Sequence, residues 1–543
     1  MSNSVPQVPA PFNEPVLSHA PGSPERAELK AALARMAGEQ IEIPVVIGGR
    51  EIRTGNTETV SMPHDHGHVL ATFHKAGEAE VRQAVEAAKE AQREWAHWPW
   101  EDRCAVLLKA ADLLAGRWRP VMNAATMLGQ SKTAHQAEID AACEMIDFFR
   151  FNAHFAEKLY QEQPLSSPGV WNRLDHRPLE GFVYAVTPFN FTSIAGNLPT
   201  APALLGNVAV WKPAATAVYS GWQILKLLEE AGMPPGVINF VPGDPKAVSD
   251  TLLGSRDLAG VHFTGSTAVF HSIWRTVGEN IDRYRSYPRL VGETGGKDFI
   301  LAHASADAEA VAAAIVRGGY EFQGQKCSAA SRIYVPESLW PRVRELTLGM
   351  IEKIKVGDPT DFRNFMGAVI DRKAYDKITG YIKHAEQADG VEIIAGGKYD
   401  DARGYFIDPT LVQVKDSAYR LMCEEVFGPV VTLHVYPDAR WAETLKIVDE
   451  TTPYALTGAV FATERKAVLE ADRALRNAAG NFYVNDKPTG AVVGQQPFGG
   501  GRASGTNDKA GSILNLLRWI TPRTIKETFS PARSFEYPFM GEK

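Results

Sequence analysis

The feature that most limits what this chain can fold into is an alternation that begins at residue 181. The apolar runs GFVYAV and NVAVWKP are followed by an amphipathic stretch near 218–231. INFVPG, a helical stretch near 246–253, LAGVHFTGS, another near 267–278 and PRLVGE continue it. Short apolar runs bounded by turn residues read as strands buried on both faces. Strands alternating with helices imply a parallel sheet covered by helices on both sides. A second series starts at Lys297: DFILAH as a strand, 305–318 as a helix whose Ser and Asp suit an N-cap, RIYVPE as a strand and 337–354 as a helix. Two α/β units therefore meet near residue 295. GETGG, at 292–296, lies at the join, and ligands in such sheets bind at the carboxyl ends of strands.

Upstream, 78–94 reads as a helix with Val81, Val85 and Ala88 on one face, and further helices are expected at 101–117 and 135–160. The first 40 or so residues, rich in Pro, Ala and charge, are expected to wrap the surface. At 543 residues the chain is too long for one core. A net charge of -7 with no dense Lys/Arg run excludes nucleic acid as an expected partner. No apolar stretch is long enough to span a bilayer, so no membrane partner is expected. MSNSVPQVPAPFNEP lacks the basic-then-apolar order of a secretory leader and the early Arg of a mitochondrial presequence, so a cytoplasmic location is expected.

Four cysteines, Cys104, Cys143, Cys327 and Cys423, form no CxxC pair and have no His at metal-ligand spacing. A metal site and a disulfide framework are not expected, and a reducing compartment is. Cys104 shares a helical face with Leu107, Leu108, Ala111 and Leu114, and Cys143 falls between Ile139 and Ile146; both read as inert packing. Cys327, in EFQGQKCSAAS, differs. Gly324 allows close backbone approach, small polar residues follow, and the Lys326 cation beside the thiol would favour the thiolate. Glu293, between glycines at the end of an apolar strand, suits a general base, or else a helix-capping acid. Asn190 in TPFNFT suits an oxyanion donor, or else a turn residue.

Together these residues resemble one family. TPFNFT, WKPA at 211–214, FTGST at 263–267, GETGGK at 292–297, GQKCS at 324–328, EEVFGPV at 424–430 and PFGG at 497–500 look like the ordered signatures of aldehyde dehydrogenases, over about residues 40–525. The resemblance implies an α/β fold. It would comprise a Rossmann-type NAD-binding domain from 1–160 and 181–293, an α/β catalytic domain from 294–504, and a β-flap oligomerisation segment from 161–180 and 505–543. A homo-oligomer is the implied partner state. In the implied chemistry Cys327 attacks the aldehyde, Asn190 and the Cys327 N–H hold the oxyanion, and Glu293 activates the water that hydrolyses the thioester. There is no GxGxxG. Instead Gly265 and Ser266 would open a helix that receives the NAD pyrophosphate. Thr187, Lys212, Glu425 and Phe427 match the family's other cofactor contacts. Many members carry an acid three residues after the lysine; Ala215 stands there, so NAD is expected with a milder preference over NADP.

NEPVLSHAPGSPERAEL, QGQKCSAASRIYVP and VNDKPTGAVVGQQPFGGGRASGTNDKAG further resemble the branch that acts on glutamate γ-semialdehyde, the open form of 1-pyrroline-5-carboxylate. For that substrate Lys326 and Ser328 would meet the carboxylate, with a turn at Thr489, Gly490 and Ala491 offering N–H groups. Phe191 and Phe498 would flank the methylene chain. The alternatives are another semialdehyde such as succinic semialdehyde, a CoA-acylating variant disfavoured by Glu293, a non-catalytic scaffold disfavoured by the intact Cys327, Glu293 and Asn190, and a cysteine hydrolase, which needs a His near Cys327.

Overall fold

The computed structural model describes residues 6–541; residues 1–5 and 542–543, at the ends of two expected segments, lie outside the described residues. The first series forms a seven-stranded sheet from β1 (Val45–Ile47), β2 (Arg50–Ile52), β3 (Phe182–Val186), β4 (Val208–Lys212), β5 (Ile238–Phe240), β6 (Leu258–Thr264) and β7 (Arg289–Glu293). Its order is β7-β6-β3-β4-β5-β1-β2. The strands from β7 to β5 are parallel, and β1 and β2 close the edge antiparallel. The connections leave β3 toward β4 and return on its other side at β6. The gap beyond the carboxyl ends of β3 and β6 is therefore the topological switch point where such sheets bind ligands.

The second series adds β8 (Asp298–Ala302), β9 (Ala330–Pro336), β10 (Val391–Ala395), β11 (Thr410–Val414), β12 (Val430–Tyr436), β13 (Thr457–Phe461) and β14 (Asn481–Val484). They lie in the order β10-β11-β12-β9-β8-β13-β14, with only β10 antiparallel. Alternation along β8 divides the core. Phe299 and Leu301 enter one apolar cluster, Ile300 the cluster on the opposite face. That is why these strands read as continuous apolar runs.

Three expectations change in detail. The helix expected from Ser305 spans Ala308–Tyr320, because Asp307 takes the N-cap and accepts from the Glu309 and Ala310 N–H groups. The helix expected at 337–354 spans Trp340–Ile351, its start set by Pro341. The helix expected at 135–160 is broken: α-helical Ala134–Ala137 runs into a π-helical turn, Glu138–Glu144, before Met145–Gln161 resumes.

The π turn has consequences for the site. Its acids reach different neighbours. Glu138 receives Arg119, Asn123 and the Leu17 N–H. Asp140 accepts from the Thr192 N–H at 3.0 Å, the Ser193 N–H at 2.9 Å and Ser193 Oγ at 2.7 Å, and pairs with Lys132 at 2.6 Å. Lys132 Nζ also lies 4.2 Å from the Phe191 ring centre and 4.4 Å from that of Phe322. One buried pair thus holds the turn that carries Asn190 and the segment that leads to Cys327.

Strands Val170–Arg177 and Thr521–Thr528 form a two-stranded antiparallel ribbon of their own. Residues 505–520, expected with that flap, pack on the body instead. Gly505 bridges Glu293, the Thr506 N–H donates to Gly292 O at 2.9 Å, and Trp519 is buried.

Both members of the Lys132–Asp140 pair are about 1% exposed. Removing one partner of a buried pair typically costs about 3–5 kcal/mol, because the other charge is stranded. Asp140→Ala should lower the unfolding free energy by that amount in urea denaturation. A loss under about 1 kcal/mol would show that the pair is not the anchor.

Candidate active site

Asn190 follows β3, in the loop before the helix Thr192–Leu204. Its Nδ2 donates to Gln325 O at 3.1 Å, two residues before Cys327. One amide hydrogen is thereby used for anchoring and the other is left for a ligand. The Cys327 loop is unusual in its backbone. Phe322 and Gln323 have φ of 51° and 56°, and Gly324 follows at 64°. Left-handed Phe and Gln are costly and persist only when their surroundings fix them. Here Gln323 Nε2 donates to Ser131 O and Ala368 O, its Oε1 accepts from the Gly367 N–H, and Lys132 covers the Phe322 ring. The sequence marks this strain only by Gly324.

Glu293 ends β7, and the loop after it runs along the nucleophile segment. A Cβ on Gly296 would meet Cys327 O at 2.1 Å, so that position accepts only glycine. Glu293 Oε1 rests against Gly499 of the PFGG turn, while Oε2 is buried without a partner. Burial pushes this carboxyl well above the ordinary range; Lys509 pulls it down and Asp508 pushes it up. A carboxyl tuned upward is suited to take a proton from water near neutral pH.

Cys327 is partly exposed, whereas Cys104 is buried with its thiol pushed up to about 12. The expected activation by Lys326 is absent. Lys326 is buried and paired with Glu321 at 3.2 Å, so its charge is spent there. The groups that face the thiol are the acids Asp298, Glu293 and Glu425, with only the Ser328 N–H in its favour. Burial and these acids hold the thiol well above its usual value. Cys143 also departs from the expected packing face: it lines the same cavity as Cys327 and receives Arg119 at 3.5 Å. Burial and Glu138 keep its thiol protonated.

That cavity, about 350 Å³, is also lined by Phe191, Lys326, Ser328, Gly490, Ala491 and Phe498, the expected substrate contacts. Ser328 Oγ and Thr489 Oγ1 lie 2.9 Å apart and tie the nucleophile loop to the turn, where Gly490 takes a φ of 93°. Several lining residues were not expected as substrate contacts, two charged ones among them. Lys487 adds a second cation. Glu144, at the end of the π turn, has its carboxyl pushed up to about 8, chiefly by burial and then by Asp140. No motif singles it out in the sequence; the fold brings it to the cavity.

The switch point carries a second set of groups, and these fit a dinucleotide. Ser266 caps the helix Thr267–Glu279 by accepting from the Val269 N–H, a Cβ on Gly265 would strike the Phe263 ring at 2.8 Å, and the helix N-terminus follows the carboxyl end of β6 at the gap. Lys212, at the end of β4, is buried, and its amine is lowered to about 8 by burial. Thr187 donates its N–H to Lys212 O at 3.2 Å and orders the same strand end. Glu425 Oε1 accepts the Gly296 N–H at 2.9 Å, and Phe427, at φ 61°, meets Phe189 edge-on at 5.9 Å. Phe189 is an addition to the residues expected there. Among the described residues no group of three or more His, Cys, Asp or Glu is placed to hold a metal. Nor is any helix among the described residues long and apolar enough to cross a membrane.

The chain belongs to the aldehyde dehydrogenase family, whose profile matches residues 52–525. Within it, the mitochondrial delta-1-pyrroline-5-carboxylate dehydrogenase of Dictyostelium discoideum is 53% identical over 536 residues, covering 98% of this chain and 96% of that protein. The human mitochondrial enzyme of the same name is 50% identical, covering 97% and 94%. The crystal structure of the Mycobacterium tuberculosis delta-pyrroline-5-carboxylate dehydrogenase bound with NAD superposes with a TM-score of 0.96 at 54% identity, over 100% of both chains. A Thermus 1-pyrroline-5-carboxylate dehydrogenase with bound NAD is 34% identical, with a TM-score of 0.89 over 96% of this chain and 99% of that one.

Two measurements test this geometry. In the cofactor-free chain, iodoacetamide should alkylate Cys327 with a midpoint higher than that of an ordinary exposed thiol, as burial and its acidic neighbours require; a midpoint near neutrality would mean that a cation reaches the thiol. Asn190→Ala should lower kcat on the order of 10²–10³-fold with little change in NAD affinity. A change confined to NAD affinity would move Asn190 to the cofactor side.

Proposed function

We propose that the chain oxidises L-glutamate γ-semialdehyde, the open form of 1-pyrroline-5-carboxylate, to L-glutamate with NAD, as a step of proline degradation. The relatives above carry that name, but the observation that carries the reading is the charge pattern of the cavity. Cys327 shares a small space with the cation Lys487, with Lys326 already paired to Glu321, and with the acid Glu144 on another element. A substrate with a carboxylate and an ammonium beyond a short methylene chain satisfies both. Succinic semialdehyde has no ammonium and would make no use of Glu144.

In this reading Cys327 Sγ attacks the aldehyde carbon, and the developing oxyanion is held by the free hydrogen of the Asn190 amide and the Cys327 N–H. Bound NAD supplies the hydride acceptor. The thioester left on Cys327 is hydrolysed by water that gives one proton to Glu293; the second proton passes to the departing sulfur, so the product leaves as the carboxylate and Cys327 returns as the thiol. Ser328, the Gly490 and Ala491 N–H groups and Lys487 would receive the substrate carboxylate, beside a Lys326 already half-neutralised by Glu321. Phe191 and Phe498 would exclude water along the methylenes. Toward the cofactor, Ser266 and Gly265 would face the pyrophosphate, Lys212 and Thr187 the adenosine side, and Glu425 and Phe427 the nicotinamide ribose. With Ala215 offering no carboxylate against a 2'-phosphate, NAD is preferred mildly.

The domain division follows the same reading: cofactor binding on the first sheet, catalysis on the second, and a flap reduced to Val170–Arg177 and Thr521–Thr528. The flap exposes strand edges, which a second copy of the chain would cover in a homo-oligomer. The free thiols suit a reducing compartment; the cytoplasm is the location read from the sequence, although several relatives are named as mitochondrial.

The test is kcat/KM for glutamate and succinic semialdehydes, with NAD and NADP, in the wild type and Glu144→Gln. A charge-assisted hydrogen bond contributes about 1.5–3 kcal/mol. Glu144→Gln should therefore raise KM for glutamate semialdehyde by about one to two decades and leave succinic semialdehyde nearly unchanged. A wild-type preference for succinic semialdehyde, or equal losses for both, would overturn the substrate assignment.

A further inference from the structure

The NEPV stretch near the N-terminus belongs to no helix or strand, yet it is tied down almost residue by residue. The Val8 N–H donates to Glu157 Oε2 at 2.8 Å. The Arg150 guanidinium lies 4.2 Å from the Phe12 ring centre. Asn13 Nδ2 donates to both Asp147 Oδ2 and Val493 O at 2.8 Å, and its Oδ1 accepts from Gln495. The Glu14 N–H donates to Asp147 Oδ1 at 2.7 Å, and its carboxylate takes Arg119 at 2.6 Å and Arg150 at 2.7 Å. Leu17 and His19 then close on Glu138 of the π turn.

Ordering an irregular segment costs about 1–2 kcal/mol per residue in backbone entropy. A segment that makes no sheet ladder must recover that cost in such contacts, and these contacts place it at one point. Asn13, Glu14 and Val16 form part of the wall of the cavity that contains Cys327, beside Val493 and Asp147. Val16 is 51% exposed, so it stands at the rim rather than in the interior. Glu14, by contrast, is only 9% exposed between its two arginines. The arrangement is a latch, Glu14 with Arg119 and Arg150, holding a rim residue across the mouth.

We propose that this N-terminal strap is a specificity wall, in which Asn13 and Val16, latched by Glu14, close the aldehyde cavity against chains longer than a short semialdehyde. The proposal rests on the reading of this cavity as the aldehyde site. It explains a cavity of about 350 Å³, close to the lower bound for small-molecule sites. The wall acts by exclusion: a longer apolar aldehyde would have to displace Val16 and break the latch before its carbonyl could reach Cys327.

The experiment uses the full-length chain as wild type, Val16→Gly, which thins the wall and leaves the latch intact, and Glu14→Ala, which cuts the latch. The readout is the ratio of kcat/KM for octanal to that for butanal. A parallel readout, independent of turnover, is the ratio of Cys327 alkylation rates by a long-chain alkyl maleimide and by N-ethylmaleimide in the cofactor-free protein. Both ratios should rise about tenfold or more in each variant, the scale of a relieved methylene-sized restriction. Amide exchange over residues 8–19 should quicken in Glu14→Ala but not in Val16→Gly. Unchanged ratios in Val16→Gly, or in a Glu14→Ala protein whose strap amides exchange fast, would overturn the wall. If Glu14→Ala does not fold, Val16→Gly decides alone. If the wild type fails on glutamate semialdehyde while the ratios still rise, the wall stands and the substrate reading falls.

Discussion

The pair between Lys132 and Asp140 is the interaction on which the site depends. Asp140 fixes the backbone after Asn190 through the Thr192 and Ser193 N–H groups, and Lys132 packs on Phe191 and on the left-handed Phe322. The two halves of the chemistry come from different sheets, and this pair is where they are held in register. It is wholly buried, so its geometry is enforced by the high penalty for separating the charges. A surface pair in the same place would enforce little.

The charge around Cys327 gives the site a particular logic. Three acids face the thiol and the neighbouring lysine is neutralised by Glu321. Without cofactor the thiol is therefore held protonated, and so protected from oxidation. The oxidised nicotinamide ring of NAD carries a positive charge. Its arrival beside Glu425 would offset that acidic field and favour the thiolate when the hydride acceptor is in place. Burial, with Asp508 adding to it, likewise raises the Glu293 carboxyl, which must be free of its proton when water is activated.

The π turn Glu138–Glu144 joins these functions. Within two turns of chain, Glu138 receives the strap, Asp140 anchors the Asn190 loop and Glu144 enters the cavity. The segment still reads as an ordinary amphipathic helix in sequence, because its apolar positions recur at nearly helical spacing, and a local widening of the turn leaves no mark on that pattern.

What the sequence determined was whatever depends on local or ordered signals. The two α/β units, their junction at GETGG, and the candidates Cys327, Glu293 and Asn190 follow from apolar runs, glycines and ordered motifs, since strand burial and close backbone approach restrict residue types position by position. What only the tertiary structure decided was who faces whom. Lys326 looks like a free cation beside the thiol until Glu321, five residues back, folds onto it. Residues 505–520 look like flap until Trp519 and Thr506 are seen packed on the body. Glu144 carries no motif, and the stretches that contain Lys487, Asn13 and Val16 do not say that these side chains line the cavity. Charge pairing and cavity walls are set by long-range contacts, whose partners lie up to hundreds of residues apart, and a one-dimensional pattern has no term for them.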